Sequence, residues 1–292
     1  MSSTSNPSDR VTRLIDGFDH FVEVYDRRVP FSHYGQSEHH APTIRLRRRL
    51  GTIDRAIGSD EFVACLWNNL KAWSMGIRSV DLVDVEAFSA ELWRWRIPLQ
   101  ALDGISIRAA NQSAKEGVWR LIQGLVIIED EARLVALTKT LHHLLPDLVV
   151  PIDRTYTATF FGWPLEELHH NQAAVFSAAW DAFVKVAQLV EPARLVGEGW
   201  RTSQTKIIDN AIVGFCLEEG LVDPRSKQAA PEAQSARRSN WTTVELRSDL
   251  DSFEKDLRDA GLKEQTIQTY IARSKTFVDW LERKYVPKRR KR

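Results

Sequence analysis

The stretch Leu134-Val-Ala-Leu-Thr-Lys-Thr-Leu-His-His-Leu-Leu-Pro146 sets the fold class. Leu134, Leu137, Leu141 and Leu144 recur at threes and fours, the period of one helix face, and Pro146 ends the run because it cannot continue a helix. The same period repeats outward from it. Leu14, Phe18, Phe21, Val22 and Tyr25 make a stripe from Val11 to about Arg28 and Pro30. Further helices are expected over Ile44 to Ile57, Asp60 to Ser74, Val85 to Trp93, Ser113 to Ile128, Glu131 to Leu145, Arg154 to Phe161, Asn171 to Leu189 and Ser203 to Glu219. Residues 1–10 are polar and expected to be loose, and Phe31 to Pro42, rich in His, Ser and Gly, reads as a loop. Alternation of period two is scarce, so strands should be few and short. The fold class is mainly α, with a multi-helical main domain over residues 11–222.

Residues 223–240 hold almost no large apolar side chains, so burial cannot offset the entropy of ordering them. They read as a flexible linker, with a coil reach on the order of 25 Å. Beyond it, Leu246, Leu250, Phe253 and Leu257 form one helical stripe, with Thr242 or Thr243 as its cap. Gly261 supplies a turn, and Ile267, Tyr270, Ile271, Phe277, Val278 and Leu281 form a second stripe. Two such helices joined tightly must face each other, giving a small hairpin module over residues 241–292.

The 292-residue chain carries a net charge of +1, but unevenly: residues 223–292 hold about +6 and the rest about −5. Arg283, Lys284, Lys288, Arg289, Arg290, Lys291 and Arg292 crowd the end, where Pro287 stops a helix. Such a tail binds phosphates by releasing counterions and reads no sequence. Cys65 and Cys216 lie in apolar helical text and read as small core residues. No run approaches the roughly 18 to 20 apolar residues of a membrane span, and the start lacks the layout of a secretion signal. A cytoplasmic location is the expectation.

Within Leu250 to Leu281, the order Gly261-Leu262, Thr266-Ile267, Tyr270, Phe277 and Trp280-Leu281 resembles the start of the core-binding, SAM-like domain of tyrosine recombinases (phage integrases). That resemblance implies a helical module that clamps DNA, with Lys263, Arg273, Lys275, Lys288, Arg289, Arg290, Lys291 and Arg292 as the expected phosphate contacts. The family's catalytic domain needs an Arg, a Lys, a His-x-x-Arg and a nucleophilic Tyr. After Leu281 there is only Glu-Arg-Lys-Tyr-Val-Pro-Lys-Arg-Arg-Lys-Arg, in which Tyr285 is an aromatic beside a basic tail, and no His-x-x-Arg occurs in the sequence. The resemblance therefore carries over DNA binding and not strand exchange.

The segment Lys139-Thr-Leu-His-His-Leu-Leu-Pro-Asp-Leu-Val-Val-Pro-Ile-Asp-Arg-Thr-Tyr156 is similar to a degraded helix-hairpin-helix DNA glycosylase. By that resemblance Asp153 matches the catalytic aspartate and Lys139 the nucleophilic lysine, although no Leu-Pro-Gly-x-Gly hairpin precedes Lys139. The residues themselves allow a plainer role for Asp153, a carboxylate capping the amides of the next helix.

Histidines pair at His39-His40, His142-His143 and His169-His170. Adjacent residues on a helix point about 100° apart, so one pair does not chelate one metal, and surface or capping positions are expected. No His-Glu-x-x-His or Cys-x-x-Cys occurs, and no metal or cofactor is expected. Phosphate-binding glycine loops and a Gly-x-Ser-x-Gly elbow are absent as well. Arg45, Arg48 and Arg49 share a helix face and suit either DNA phosphate or an acidic neighbour, while the tryptophans, at helical spacing, read as core.

The function expected from these residues is DNA binding without catalysis, through the C-terminal module and basic tail, with a regulatory or partner-binding main domain. Two alternatives stay open: a DNA-modifying enzyme using Asp153 and Lys139, and a protein-interaction scaffold in which the terminal hairpin dimerises.

Overall fold

A computed structural model describes residues 6–28, 36–73, 82–128, 133–223, 247, 250, 253–255, 258 and 264–281. The chain divides into two compact units, Met1–Pro224 and Arg225–Arg292. Both are helical, and among the described residues the only β pairing is an isolated bridge between Leu82 and Ile128.

The first unit begins earlier than its sequence suggests. Asn6 accepts a hydrogen bond from the Ser8 amide and Pro7 fits the first helical turn, so α1 spans Pro7–Asp16 within the stretch expected to be loose. The continuous helix expected from Val11 to Arg28 breaks at Gly17, and α2 runs Phe18–Arg28. The second correction concerns Phe31 to Pro42: α3 spans Gln36–Leu50 and passes through Pro42. Proline removes one backbone donor there, and the Thr43 hydroxyl donates to the His39 carbonyl 2.7 Å away, adding a bond at the turn that proline weakens. This extension places His40 on a helix. Short α4 (Ile53–Ile57) and α5 (Asp60–Ala72) follow, capped by Thr52 and Ser59.

Next come α6 (Val85–Arg94), α7 (Arg96–Gln100) and α8 (Gln112–Gly124), the first and last capped by Asp84 and Asn111. The leucine-striped helix is α9 (Leu134–Leu144), followed by α10 (Tyr156–Phe161), α11 (Glu167–His170) and α12 (Gln172–Val190). Among the described helices α12 is the one long and apolar enough to cross a membrane, by length and composition alone. It buries Val175, Phe176, Ala179, Trp180, Phe183, Val186, Ala187 and Val190, while its outward Asp181 pairs with Lys115 at 2.7 Å.

The centre of this unit is α13 (Gln204–Glu218), buried at every position from Gln204 to Leu217. Its closest partner is α2, and the approach depends on a missing side chain. A Cβ on Gly214 would overlap the Phe21 carbonyl oxygen and lie 2.8 Å from the Phe21 carbonyl carbon and 3.2 Å from the Tyr25 amide nitrogen. Phe215 completes the contact, edge-on to Phe21 at 5.0 Å and to Phe160 of α10 at 5.2 Å.

In the second unit, residues 247, 250, 253–255 and 258 are helical, and α14 spans Glu264–Leu281. Ile267, Ile271 and Val278 form its buried stripe. Tyr270, assigned to that stripe from the sequence, is 47% exposed, because a helix turns it about 100° from Ile271. Phe253 is exposed too. The caps at Thr242 and Thr243, the turn at Gly261 and the linker lie outside the described residues.

The atoms that face Gly214 are all backbone, so a methyl group there cannot be relieved by a rotamer change. Gly214→Ala should destabilise the protein by about 3 kcal/mol or more, whereas Gly104→Ala, at φ +78° with open space around it, should lose only about 1 kcal/mol. Urea unfolding of both variants measures the difference, and a Gly214→Ala midpoint equal to that of the parent would disprove the close approach.

Candidate functional site

A polar cluster lies inside the first unit where α2, α3, α5, α9 and α13 meet. Because α13 is buried on all sides, the polar side chains of its first half cannot reach water. Ser203 caps the helix, accepting from the Lys206 amide at 3.2 Å. Lys206 is 1% exposed and donates from Nζ to Asp209 Oδ2 and Asn210 Oδ1, both at 2.6 Å. Its ammonium also lies 5.1 Å from the ring centres of Tyr25 and Trp200. Burial pushes the Asp209 carboxyl above its usual range, and the adjacent Lys206 ammonium opposes that shift. Burial, with Asp209 and Asp26 nearby, drives the Tyr25 phenol well above its ordinary value.

Against this pair sit three histidines, His40 from α3 and His142 and His143 from α9, each 1% exposed or less. His142 Nδ1 lies 2.9 Å from the Val149 carbonyl, and His143 Nδ1 lies 2.7 Å from the Lys139 carbonyl. A carbonyl only accepts, so both Nδ1 atoms carry hydrogen and both Nε2 atoms present lone pairs. The Thr205 hydroxyl donates to the Pro146 carbonyl and therefore also accepts from His142 Nδ1, 3.1 Å away. His143 Nε2 receives His40 Nδ1 at 3.0 Å and Asn69 Nδ2 at 2.6 Å, and His40 Nε2 meets the Thr202 hydroxyl at 2.8 Å. The His40 ring lies near-parallel to Trp73 and Trp200, with centroids 5.3 Å from each.

Burial is the chief cause that lowers all three imidazoles. His40 falls well below its ordinary value, helped by His143, His142 and Lys206. His142 does the same despite its bond to the Val149 carbonyl. His143, supported by the Lys139 carbonyl, falls to about 4. The cluster is therefore neutral imidazole at neutral pH.

At the edge of the cluster, Lys139 Nζ approaches Asp153 Oδ2 at 3.9 Å and the Trp73 ring centre at 5.8 Å. The other oxygen of Asp153 accepts from the amides of Thr155 and Tyr156 at 2.7 and 2.9 Å, so this carboxylate caps α10 as well as facing the lysine. Burial, then Asp153, raises the Tyr156 phenol.

The remaining sequence candidates separate. Arg273 and Lys275 lie exposed on α14, while Lys263, Lys288, Arg289, Arg290, Lys291 and Arg292 lie outside the described residues. In the body, Arg45 is exposed, Arg48 faces Asp147 at 3.5 Å and Arg49 faces Glu61 at 3.3 Å, both pairs on the surface. Beside them Arg47 is buried and bonds Asp103 Oδ1 at 2.5 Å and the Leu144 carbonyl at 2.8 Å. Cys216 is buried, with its thiol pushed up to about 12, and Cys65 is half-buried. The tryptophans are mixed: Trp180 is buried, Trp93 is exposed, and Trp73 and Trp200 flank the histidines.

Three histidines thus correct the surface or capping positions expected for the pairs, while His39, His169 and His170 are exposed. In the sequence His40 stands in loop-like text, and Lys206, Asp209 and Asn210 stand in an ordinary helical stretch. The signal that marks the latter is Lys206 just before Ile207-Ile208, with Asp209 and Asn210 between that pair and Ala211-Ile212-Val213, in a helix otherwise apolar on every side.

Breaking one half of the Lys206–Asp209 pair leaves a buried charge uncompensated. Lys206→Met should cost about 3–5 kcal/mol, and Lys206→Met/Asp209→Leu should cost less than that single change. A double variant at least as unstable as Lys206→Met in urea would refute the pairing.

The histidines give a pH signature whose sign follows from their direction. Their folded pKa values lie below the unfolded value near 6.5, so the unfolded chain binds more protons in between. Stability should be complete above about pH 6.5 and fall toward pH 4, with a slope exceeding the about 1.4 kcal/mol per pH unit of a single proton. Urea midpoints that stay level from pH 7 to pH 5 would contradict neutral buried imidazoles. No protein-family model, curated protein or solved structure matches this chain.

Proposed function

We propose that this chain binds DNA without catalysis, through α14 and the basic tail, and that the first unit serves a regulatory or partner-binding role. The observation that carries this reading is the charge distribution on the second unit. The acids among its described residues are paired within the unit: Asp279 with Arg247 at 2.6 Å, and Glu254 and Glu264 with Arg258 at 2.7 and 3.1 Å. Arg273 and Lys275 are exposed and have no carboxylate partner among the described residues. They flank the buried stripe of Ile267, Ile271 and Val278 on opposite sides, so cations project from two sides of the module. With the five terminal Lys and Arg residues from Lys288 to Arg292 they supply the positive charge that phosphate binding requires. The resemblance of Gly261 to Leu281 to an integrase core-binding domain points the same way.

A second reading, a DNA-modifying enzyme, is favoured by one distance, the 3.9 Å between Lys139 and Asp153. In it the lysine is the nucleophile and the aspartate its electrostatic partner. Release of a damaged base from duplex DNA by the parent and not by Lys139→Ala would establish this reading over the first.

For the first reading the test is duplex affinity of the full chain titrated over salt. Arg273→Ala/Lys275→Ala should weaken binding equally for unrelated duplex sequences and reduce the slope of log K against log salt by about 0.9 for each lost phosphate contact. Removal of residues 288–292 should reduce the slope further. Parent protein without salt-dependent affinity would overturn the proposal and turn the search toward protein partners.

A further inference from the structure

We propose that His40, His142 and His143 form a binding site for one transition-metal dication of the zinc class. Ring nitrogens of the three lie within 4.8 Å of one another. Two of the ligand atoms are assigned by the hydrogen bonds around them. The Val149 and Lys139 carbonyls fix hydrogen on Nδ1 of His142 and His143, leaving Nε2 of each as a lone pair facing inward. A ligating histidine whose other nitrogen donates to a backbone carbonyl is the arrangement that sets tautomer and ring orientation at metal centres.

A second, independent observation points to a missing occupant. His142 Nε2 and Asn69 Oδ1 are buried and have no hydrogen-bond partner among the described residues. A buried acceptor left without a donor costs about 1–3 kcal/mol, so a fold retains such atoms together where something else binds them. A metal ion would take the open lone pair of His142 Nε2 directly, and that of His143 Nε2 once the Asn69 amide and the His40 ring turn away the hydrogens they now direct at it from 2.6 and 3.0 Å.

His40 supplies the adjustable ligand. As drawn by the hydrogen bonds, its Nδ1–H donates to His143 Nε2 at 3.0 Å, and its Nε2 accepts from the Thr202 hydroxyl at 2.8 Å. Moving the ring proton to Nε2 lets it donate to Thr202 Oγ instead and frees the Nδ1 lone pair. Nitrogens about 2.0–2.1 Å from a tetrahedral ion stand about 3.3 Å from one another. The ring nitrogens, within 4.8 Å of one another, would have to close by up to about 1.5 Å to reach that spacing.

Charge at the site permits a dication. Lys206 is compensated by Asp209 at 2.6 Å and Lys139 by Asp153 at 3.9 Å, so the nearest ammoniums carry their own counter-ions. Three neutral imidazoles suit zinc, copper, nickel or iron, and not magnesium or calcium, which demand oxygen. Three protein ligands leave a fourth position for water, for the Asn69 amide oxygen or for a substrate atom. This inference stands apart from DNA binding by the second unit.

The test uses the full chain, stripped with a chelator and titrated with cobalt(II). One equivalent should bind with the visible absorption of a four-coordinate site, and zinc should displace it. X-ray absorption of the zinc form should show about three imidazole nitrogens at about 2.0–2.1 Å. His142→Asn should abolish uptake, and His169→Ala/His170→Ala should leave it intact. Because His142→Asn removes a buried ring and can unfold the chain, Thr202→Val provides the gentler probe. It touches only the hydrogen bond behind His40 and should weaken the metal roughly 10–100-fold. Substoichiometric uptake by the parent, uptake lost in the His169→Ala/His170→Ala chain, or unchanged affinity in Thr202→Val would each overturn the proposal.

Discussion

The structure of the first unit depends on burying α13 on every side while the helix carries Lys206, Asp209 and Asn210 in its first half. An apolar helix in that place would need only shape from its neighbours. This one needs specific polar partners in specific directions, because an unpaired ammonium or carboxylate cannot remain in an interior. The requirement is met within the helix by the contacts from Lys206 Nζ to Asp209 and Asn210, and around it by Tyr25, Trp200 and the Trp200 carbonyl, which accepts from Asn210 Nδ2 at 3.1 Å. These contacts recruit α2 and the segment before α13 to the same place. The histidines of α3 and α9 then close the remaining side.

The apolar half of α13 solves a different problem. Gly214 lets α2 approach to backbone contact, and Phe215 fills the space between α2 and α10. The close approach also fixes where Tyr25 sits, since its amide is one of the atoms nearest Gly214. Packing at one end of the helix therefore orients a ring against the ammonium at the other. Arg10 adds a tie between distant parts of the chain, donating to the carbonyls of Thr159 and Phe160 at 2.6 and 3.0 Å where α10 ends. Orphan carbonyls at a buried helix end need such a donor.

Helix periodicity was sufficient to identify the mainly α class and the central leucine helix, because an amphipathic stripe writes burial directly into spacing. It failed where burial and composition disagree. Around His40 the text is His, Ser and Gly with a proline, yet α3 runs through it, supported by the Thr43 hydroxyl and by packing that no local propensity encodes. The break at Gly17 was hidden for the opposite reason, since the apolar spacing continues across it. The site was less legible than the fold. His142 and His143 were visible as a pair, but their third member lies 102 residues before His142, and no spacing rule joins them. Only the tertiary contact of α3 with α9 brings the three rings together.

The polar cluster is costly as a structural device. Well-packed apolar residues in place of a buried ion pair are often as stable or more stable, and three buried imidazoles gain nothing over leucine in transfer free energy. The lowered pKa values express that cost, since the interior denies the histidines a proton that the unfolded chain accepts. Such a cluster persists in a fold when its chemistry is used or when it enforces one arrangement of helices over another. Enforcement accounts for Lys206, Asp209 and Asn210, whose hydrogen bonds close on one another and on α13's neighbours. It does not account for the His142 ring nitrogen and the Asn69 amide oxygen, which are buried without a donor and so hold no helix in place.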